Sequence, residues 1–295
     1  MMDFGGTTNW VAESFSWSAQ FKNLWHVFLG EQVMSPETDN LLLRGGPAMK
    51  MPGQLALFSG ISSNERKKFV IEADFDFFKT FQDVTTGYDI SLEFSYRPIN
   101  NLTISVEPEW SKKMNYMQYV TEMSVTSGVY TPRYIFGAID QKILSMSLRV
   151  DYNITPDLTI QYWGQPFFGS GAYNDFKYIT DPVADEYTDR FHTYLPGEIS
   201  FDETDGTYFV DENIDGTVDY LFENPDFTVS EFLHNLVVRW EFLPGSTAYF
   251  VWSQTREYFT DDGTFDLAAQ ANDLFTNNTP HNVFLIKLSY RFGLR

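Results

Sequence analysis

The sequence contains no cysteine, only four histidines, and half as many cationic as acidic residues. The absence of cysteine excludes disulfides and thiolate chemistry. The histidines (His26, His192, His234 and His281) are scattered, and none has a zinc-like spacing to a second ligand. With 20 Lys and Arg against 40 Asp and Glu, the formal net charge is −20. No basic stripe is left to neutralise phosphates, which excludes nucleic acid as a partner. Long apolar runs are also missing: no stretch approaches the roughly 18–20 residues that a membrane helix needs. Met1–Trp10 has neither the basic nor the apolar region of a signal peptide.

Aromatic residues are abundant. Phe, Tyr and Trp make up 18% of the chain, yet the mean hydropathy is negative. The aromatics must therefore be interleaved with polar residues, and the last stretch shows how. In His281–Arg295, Phe284, Ile286, Leu288, Tyr290, Phe292 and Leu294 share one face, while Lys287, Ser289 and Arg291 share the other. A period of two is a strand, and an apolar face backed by a charged one suits a wall between lipid and a polar lumen. The closing Tyr-x-Phe resembles the C-terminal signal of bacterial outer-membrane barrels, although three residues follow it.

The same alternation recurs along the chain. Phe69–Phe81 sets Phe69, Ile71, Ala73, Phe75 and Phe77 against Glu72, Asp74 and Asp76. Tyr88–Arg97, Leu102–Trp110, the second half of Tyr134–Ile154, Leu158–Phe168, Glu231–Phe242 and Thr247–Glu257 follow the same rule. Short turns at 22–23, 63–67, 98–101, 155–157 and 243–246 alternate with long connections at 35–53, 111–131, 169–230 and 258–280. Short turns at one end and long loops at the other are the rule for outer-membrane barrels.

The expectation is a single domain over 1–295: an all-β, antiparallel, transmembrane outer-membrane β-barrel with long acidic extracellular loops. Its acidic insertion is 169–230, and a second acidic loop is 258–280. About eleven strands can be read, whereas single-chain barrels have even numbers. Twelve or more are therefore expected, with one upstream of this chain or with two merged inside 112–154. The upstream explanation is favoured because Trp10–Lys22 has to begin on the outside. Trp17, Trp25, Trp110, Trp163, Trp240 and Trp252 are assigned to interfacial girdles.

Two features could carry chemistry. Asp211-Glu212-Asn213-Ile214-Asp215-Gly216-Thr217-Val218-Asp219 has oxygen side chains at positions 1, 3 and 5 and Gly at 6, as in a Ca²⁺-wrapping loop. Asp211, Asn213, Asp215, Thr217 and Asp219 are its candidate metal ligands. Position 12 is Phe222, so the usual bidentate Glu is missing, with Glu223 or Asp226 as substitutes; an acidic hairpin built of Asx-turns is the competing reading. The second feature is inward charge: Glu72, Asp74, Asp76, Asp89, Glu93, Glu107 and Glu109 on neighbouring strands, and Arg149, Arg239, Lys287 and Arg291 on later ones. These charges either filter polar solutes or pair with one another and plug a narrow barrel. Catalysis is not expected, and no catalytic residues are assigned. A hydrolase using His192, with Asp189 three residues before it, lacks a nucleophile-elbow motif.

Several stretches together resemble a known family. They are Arg44-Gly45-Gly46-Pro47, Tyr134–Gln141, Pro156–Gln161, Gln165-Pro166-Phe167, Asn224–Phe227, and Arg239-Trp240-Glu241-Phe242-Leu243-Pro244-Gly245-Ser246-Thr247. The resemblance is to the C-terminal membrane-associated β-barrel domain of a Bacteroidota family of unknown function. Longer members of that family carry a signal peptide and an N-terminal family-9-like carbohydrate-binding domain. The resemblance implies an outer-membrane location and lipid as a partner. It implies carbohydrate only through an upstream domain that is missing here. The functional expectation is a barrel that anchors a surface module or passes polar solutes, with a calcium-stiffened loop. The alternatives are a structural component of a larger complex with other outer-membrane or surface proteins and, behind it, an outer-membrane hydrolase.

Overall fold

The computed structural model describes residues 10–126 and 130–293. The signal-peptide reading of the first nine residues, the tip of the connection at 127–129 and the apolar Leu294 lie outside the described residues. Eleven strands form an antiparallel meander: β1 (Ala12–Gln20), β2 (His26–Met34), then, after the small pair β3 (Glu37–Asp39) and β4 (Met49–Met51), β5 (Gln54–Ser62), β6 (Phe69–Thr80), β7 (Thr85–Ile99), β8 (Leu102–Thr126), β9 (Tyr130–Thr155) and β10 (Leu158–Ile179). After β11 (Phe191–Thr193), β12 (Ile199–Asp202), β13 (Thr207–Val210) and β14 (Tyr220–Glu223), the meander resumes with β15 (Phe227–Leu243) and β16 (Ser246–Thr260). It ends in β17 (His281–Ser289), which follows the short helix α1 (Leu267–Asn272).

The eleven strands are those read from alternation, but three run further than expected. Residues 111–126 and 130–133, read as a connection, are continuations of β8 and β9. Likewise β10 continues to Ile179, well into the stretch read as an insertion. At roughly 3.3 Å per residue, the 25 residues of β8 span about 80 Å. The β8–β9–β10 unit therefore stands far above its neighbours as a blade. The connection between β6 and β7 is a brief turn at 81–84 although it lies at the loop end.

Register fixes two faces. One row of directly paired residues runs Trp17, Leu29, Ser59, Phe75, Ile90, Trp110, Leu144, Phe168, Ser230, Tyr258. A second runs Phe69, Tyr96, Ile104, Val150, Tyr162, Leu236, Trp252, Phe284. The second row is the lower edge of the apolar stretch on β6, yet it is the upper edge on β16 and β17, where Gln254 and Asn282 come next. The first row is mid-stretch on β1 but already beyond it on β15. The apolar band thus crosses the hydrogen-bond rows diagonally. A diagonal band means that the strands are tilted against it, as strands must be in any sheet that curls toward a barrel.

Trp163 departs from the girdle assignment. It is paired with Arg149 and Asn235, which puts it on the polar face. Trp17, Trp110, Trp240 and Trp252 belong to the apolar face, and Trp25 sits in the β1–β2 turn. The outer strands β1 and β17 run in the same direction, and no pairing joins them among the described residues.

The buried core lies in the cap at the loop end. Leu43, Met49, Val84, Met117, Phe136 and Ile179 form one cluster, and Ile135, Phe176, Tyr194, Val210, Tyr220 and Phe222 form another. Ile135 and Phe136 are neighbours on one strand, so the clusters lie on opposite faces of the blade. The 35–53 segment covers one face, and the small sheet β12–β13–β14 covers the other. Arg190 ties the first layer together: its guanidinium donates to the carbonyls of Ala184, Lys50 and Asp185 at 2.8–3.1 Å.

Candidate functional site: the charged face and the cap

Alternation puts the acids of β6, β7 and β8 on one face, and register makes them neighbours. Glu72 is directly opposite Glu93, and Asp76 is opposite Asp89. Asp74 faces Ser91, which in turn faces Glu109. Gly60 lies across from Asp74 on β5, where a Cβ would collide with the carboxylate, so the missing side chain leaves room for the acid. Directly opposed like charges destabilise a sheet by about 0.2–1 kcal/mol each, an unfavourable arrangement unless the face is solvated. Ser145 and Ser147 donate to Glu109 and Glu107 at 3.5 Å. None of the seven acids forms a salt bridge with a described residue. Along the open sheet these acids are therefore not paired with the cations of the later strands among the described residues.

The cations on the same face are arranged differently. Arg149 lines a hollow of about 280 Å³ with Asp151, Gln161, Trp163 and Asn235. Arg239 pairs with Glu241 at 2.9 Å, and Glu241 also accepts the Gly245 N–H at 2.9 Å in the β15–β16 turn. Lys287 is paired in register with Tyr249. Arg291 follows the end of β17 and donates its backbone N–H to Ser246 Oγ at 3.0 Å. An acidic wall over β6–β8 thus gives way to a wall of mixed charge over β9, β10 and β15–β17, where Asp151, Glu231, Glu241 and Glu257 share the face with these cations. Such a face can orient and select polar, charged solutes by its transverse field.

The candidate calcium residues lie in the β13–β14 connection. Asp211 Oδ1 and Asn213 Oδ1 both accept the Asp215 N–H (3.2 and 3.0 Å), Asp211 Oδ2 accepts from Gly216 (2.7 Å), and Asp215 Oδ1 accepts from Thr217 (2.8 Å). The Thr217 N–H and hydroxyl hold Asp215 below the usual carboxylate range. Ile214 and Gly216 have φ of 55° and 86°, which closes the loop tightly. Asp211, Asn213 and Asp215 therefore share one hub, whereas Asp219 turns away to accept the Glu212 N–H at 2.9 Å. Neither proposed substitute for the missing Glu is placed to help: Asp226 accepts the Tyr173 N–H at 2.6 Å, and Glu223 pairs in register with Thr207. Phe222 is core. Among the described residues, no three His, Cys, Asp or Glu side chains are gathered as a metal site.

The main polar network of the cap joins residues too far apart in sequence for spacing to reveal it. Arg133 on β9 grips Glu212 in a bidentate pair at 2.8 and 3.0 Å. Glu212 also accepts from the Tyr220 hydroxyl at 2.6 Å, and Tyr220 meets the Tyr194 hydroxyl at 2.7 Å. Burial pushes the Glu212 carboxyl up, but the bonds from Arg133 and Tyr220 outweigh it and hold the group below the ordinary glutamate range. Burial, reinforced by the neighbouring Tyr194 and by Glu212, drives the Tyr220 phenol far up. Tyr178 stacks beneath the Arg133 guanidinium at 4.8 Å. His192 partners Glu198 at 2.8 Å rather than Asp189, and the same Glu198 oxygen accepts the Leu195 N–H at 2.7 Å. This pair anchors the turn into β12 and sits among aromatic rings.

Comparison with known proteins adds little about activity. No curated protein matches the chain. A solved structure of the NanC porin, in a rhombohedral crystal form, is similar over 96% of this chain and 94% of that one, at 8% identity and a TM-score of 0.28. The model of a domain of unknown function, DUF5916, matches residues 5–292, and the chain therefore belongs to the DUF5916 family.

Proposed function

We propose that this chain forms the wall of a bacterial outer-membrane β-barrel that anchors a surface module or passes polar solutes. The observation that carries this reading is the diagonal apolar band. Its residues are exposed, from Phe15 and Trp17 on β1 to Phe284, Ile286 and Leu288 on β17, and the opposite face is polar. A soluble protein rarely exposes so continuous an apolar surface, whereas a lipid-facing wall requires one. Because β1 and β17 run in the same direction, one further strand antiparallel to both completes the wall, giving the even number that single-chain barrels share. In the Bacteroidota arrangement that the resemblance implies, that strand and a carbohydrate-binding domain lie upstream.

The test is reconstitution of the longest native product in planar bilayers. Steady conductance with a cation preference set by the acidic wall supports the solute channel. Insertion without conductance supports the anchor. A monomer soluble without detergent would sink both. The complex-component reading predicts stoichiometric partners on gentle extraction from native membranes. Calcium belongs to the same proposal as a stiffener of the 211–219 loop, on the strength of the shared hub of Asp211, Asn213 and Asp215.

A further inference from the structure

On the loop side, the apolar band of β8 and β9 ends in a pair of lysines. Trp110 and Leu144 are directly paired across the two strands. The next residues up on the same face, Lys112 and Lys142, are also directly paired. Directly opposed side chains start with Cβ atoms about 4.5–5.5 Å apart. Two lysine side chains thus leave the sheet side by side at the edge of an apolar surface. On β6, separated from β8 by β7, the apolar run Phe75, Phe77 also ends in a lysine, Lys79, but that lysine is paired with Asp83 at 2.6 Å.

Among the described residues the charge of the Lys112–Lys142 pair is only half neutralised. Lys142 Nζ lies 3.3 Å from Asp140 Oδ2, and Lys112 forms no salt bridge with a described residue. Lys112, Lys142 and Asp140 together carry one net positive charge, in a chain whose total is −20. The floor beneath is aromatic: Phe265, from the loop after β16, packs edge-on against Trp110 at 5.2 Å. That loop also presents Leu267 and Phe275 to solvent.

We propose that Lys112 and Lys142 seat the phosphodiester of a singly anionic lipid headgroup whose acyl chains lie along Trp110, Leu144 and the band below. The inference rests on the membrane-wall reading. One phosphodiester matches the one uncompensated charge and relieves the repulsion between the opposed lysines. Hydrogen bonds from ammonium groups to a phosphate are of the stronger, charge-assisted kind. Apolar contact with Trp110 and Phe265 favours a lipid over a free anion.

The experiment uses the full chain folded in nonionic detergent and offered phosphatidylglycerol or phosphatidylcholine, with bound lipid counted by native mass spectrometry. The expected result is at least threefold more phosphatidylglycerol retained by the wild type than by the K112Q/K142Q variant, with phosphatidylcholine retained equally by both. Equal phosphatidylglycerol retention overturns the seat, as does its displacement by inorganic phosphate. K113Q, on the opposite face of β8, is the control for general charge and should retain lipid as the wild type does. If the double variant fails to fold, the single variants K112Q and K142Q carry the same comparison. Separately, insertion of the wild type into vesicles of each lipid tests the parent reading. Failure to enter either vesicle sinks both, whereas insertion without a phosphatidylglycerol preference sinks only the seat.

Discussion

The wall and the cap share the long strands of one sheet but obey opposite burial rules. In the cap, Phe136, Ile135, Val210 and Leu274 are completely buried. In the wall, Phe284 is 63% exposed and Ile286 is 74% exposed, although both are as apolar as anything in the cap. The cap buries its side chains because the blade β8–β10 is covered on both faces by chain. The wall has one residue layer, and apart from the 258–280 loop, whose Phe265 and Phe275 pack on Trp110 and Phe232, its apolar side is left largely exposed. The hydrophobic effect stabilises the cap internally, while on the membrane-wall reading proposed above the wall draws its stability from an apolar surrounding.

The sharpest way to break that contrast is to put a charge on each face of one wall strand. Leu148→Arg, mid-band on β9, should cost about 2–4 kcal/mol in folding into lipid vesicles. Ser147→Arg, one residue away on the polar face and opposite Glu107, should change stability by less than about 1 kcal/mol. Equilibrium unfolding in urea in the presence of vesicles reads both. Similar costs for the two would remove the distinction between the faces, and with it the membrane reading.

The cap should fail separately from the wall. Arg133→Ala leaves the half-buried Glu212 without its bidentate partner. The loss should be about 2 kcal/mol, at or below the lower end for breaking a buried pair because the site keeps some solvent access. Hydrogen exchange should then rise in β13 and β14 but not in β5–β7. Acid should act the same way. The Glu212 carboxyl is held below its ordinary range, so its contribution is fully present above the unfolded-state pKa of about 4.3 and is lost as pH falls through the lower folded-state value. Glu212→Gln should therefore flatten the acid-induced loosening of the cap between about pH 5 and pH 3. An unchanged acid profile would mean that another carboxylate governs it.

How much of each region could be read in advance follows from the same contrast. In the wall, a side chain's face depends only on its parity, so Phe69 to Phe77 or Leu144 to Tyr152 declare themselves, and the short turns with them. Trp163 departs from the girdle expectation because parity outweighs residue type: paired with Arg149 and Asn235, it has to face the polar side. The cap is set by contacts at long range. Arg133 meets Glu212 across 79 residues, and Ile135 and Phe136 divide between two clusters that no local period indicates. The extension of β8 and β9 through 111–126 and 130–134 was hidden because both faces of the blade are covered, and a strand covered on both faces loses clean alternation. His192 found Glu198, rather than Asp189, for a similar reason: the turn at Pro196-Gly197 folds the chain back on itself, which spacing alone does not register.

The smallest expected effect concerns the one sequence-derived metal candidate, which lies in the cap and so tests whether the cap's stability is wholly internal. The β13–β14 loop already satisfies its backbone N–H groups with Asp211, Asn213 and Asp215, so the apo loop is closed rather than frayed. Each of these oxygens keeps a free lone pair, but Asp219 is turned to the Glu212 N–H and position 12 is the core residue Phe222. A site short of its bidentate carboxylate belongs with the weak extracellular type, with a dissociation constant of about 10⁻⁴–10⁻³ M. At about 1 mM free Ca²⁺, such a site stabilises the folded cap by only about 0.4–1.4 kcal/mol. The midpoint of cap unfolding should therefore rise by a small, saturable amount with Ca²⁺ and not with equal ionic strength of Na⁺. Asp211→Asn combined with Asp215→Asn should abolish the rise. An equal response in the double variant would assign it to general screening of the acidic loops, and the hub would then be an Asx-turn hairpin whose carboxylates exist to hold backbone N–H groups.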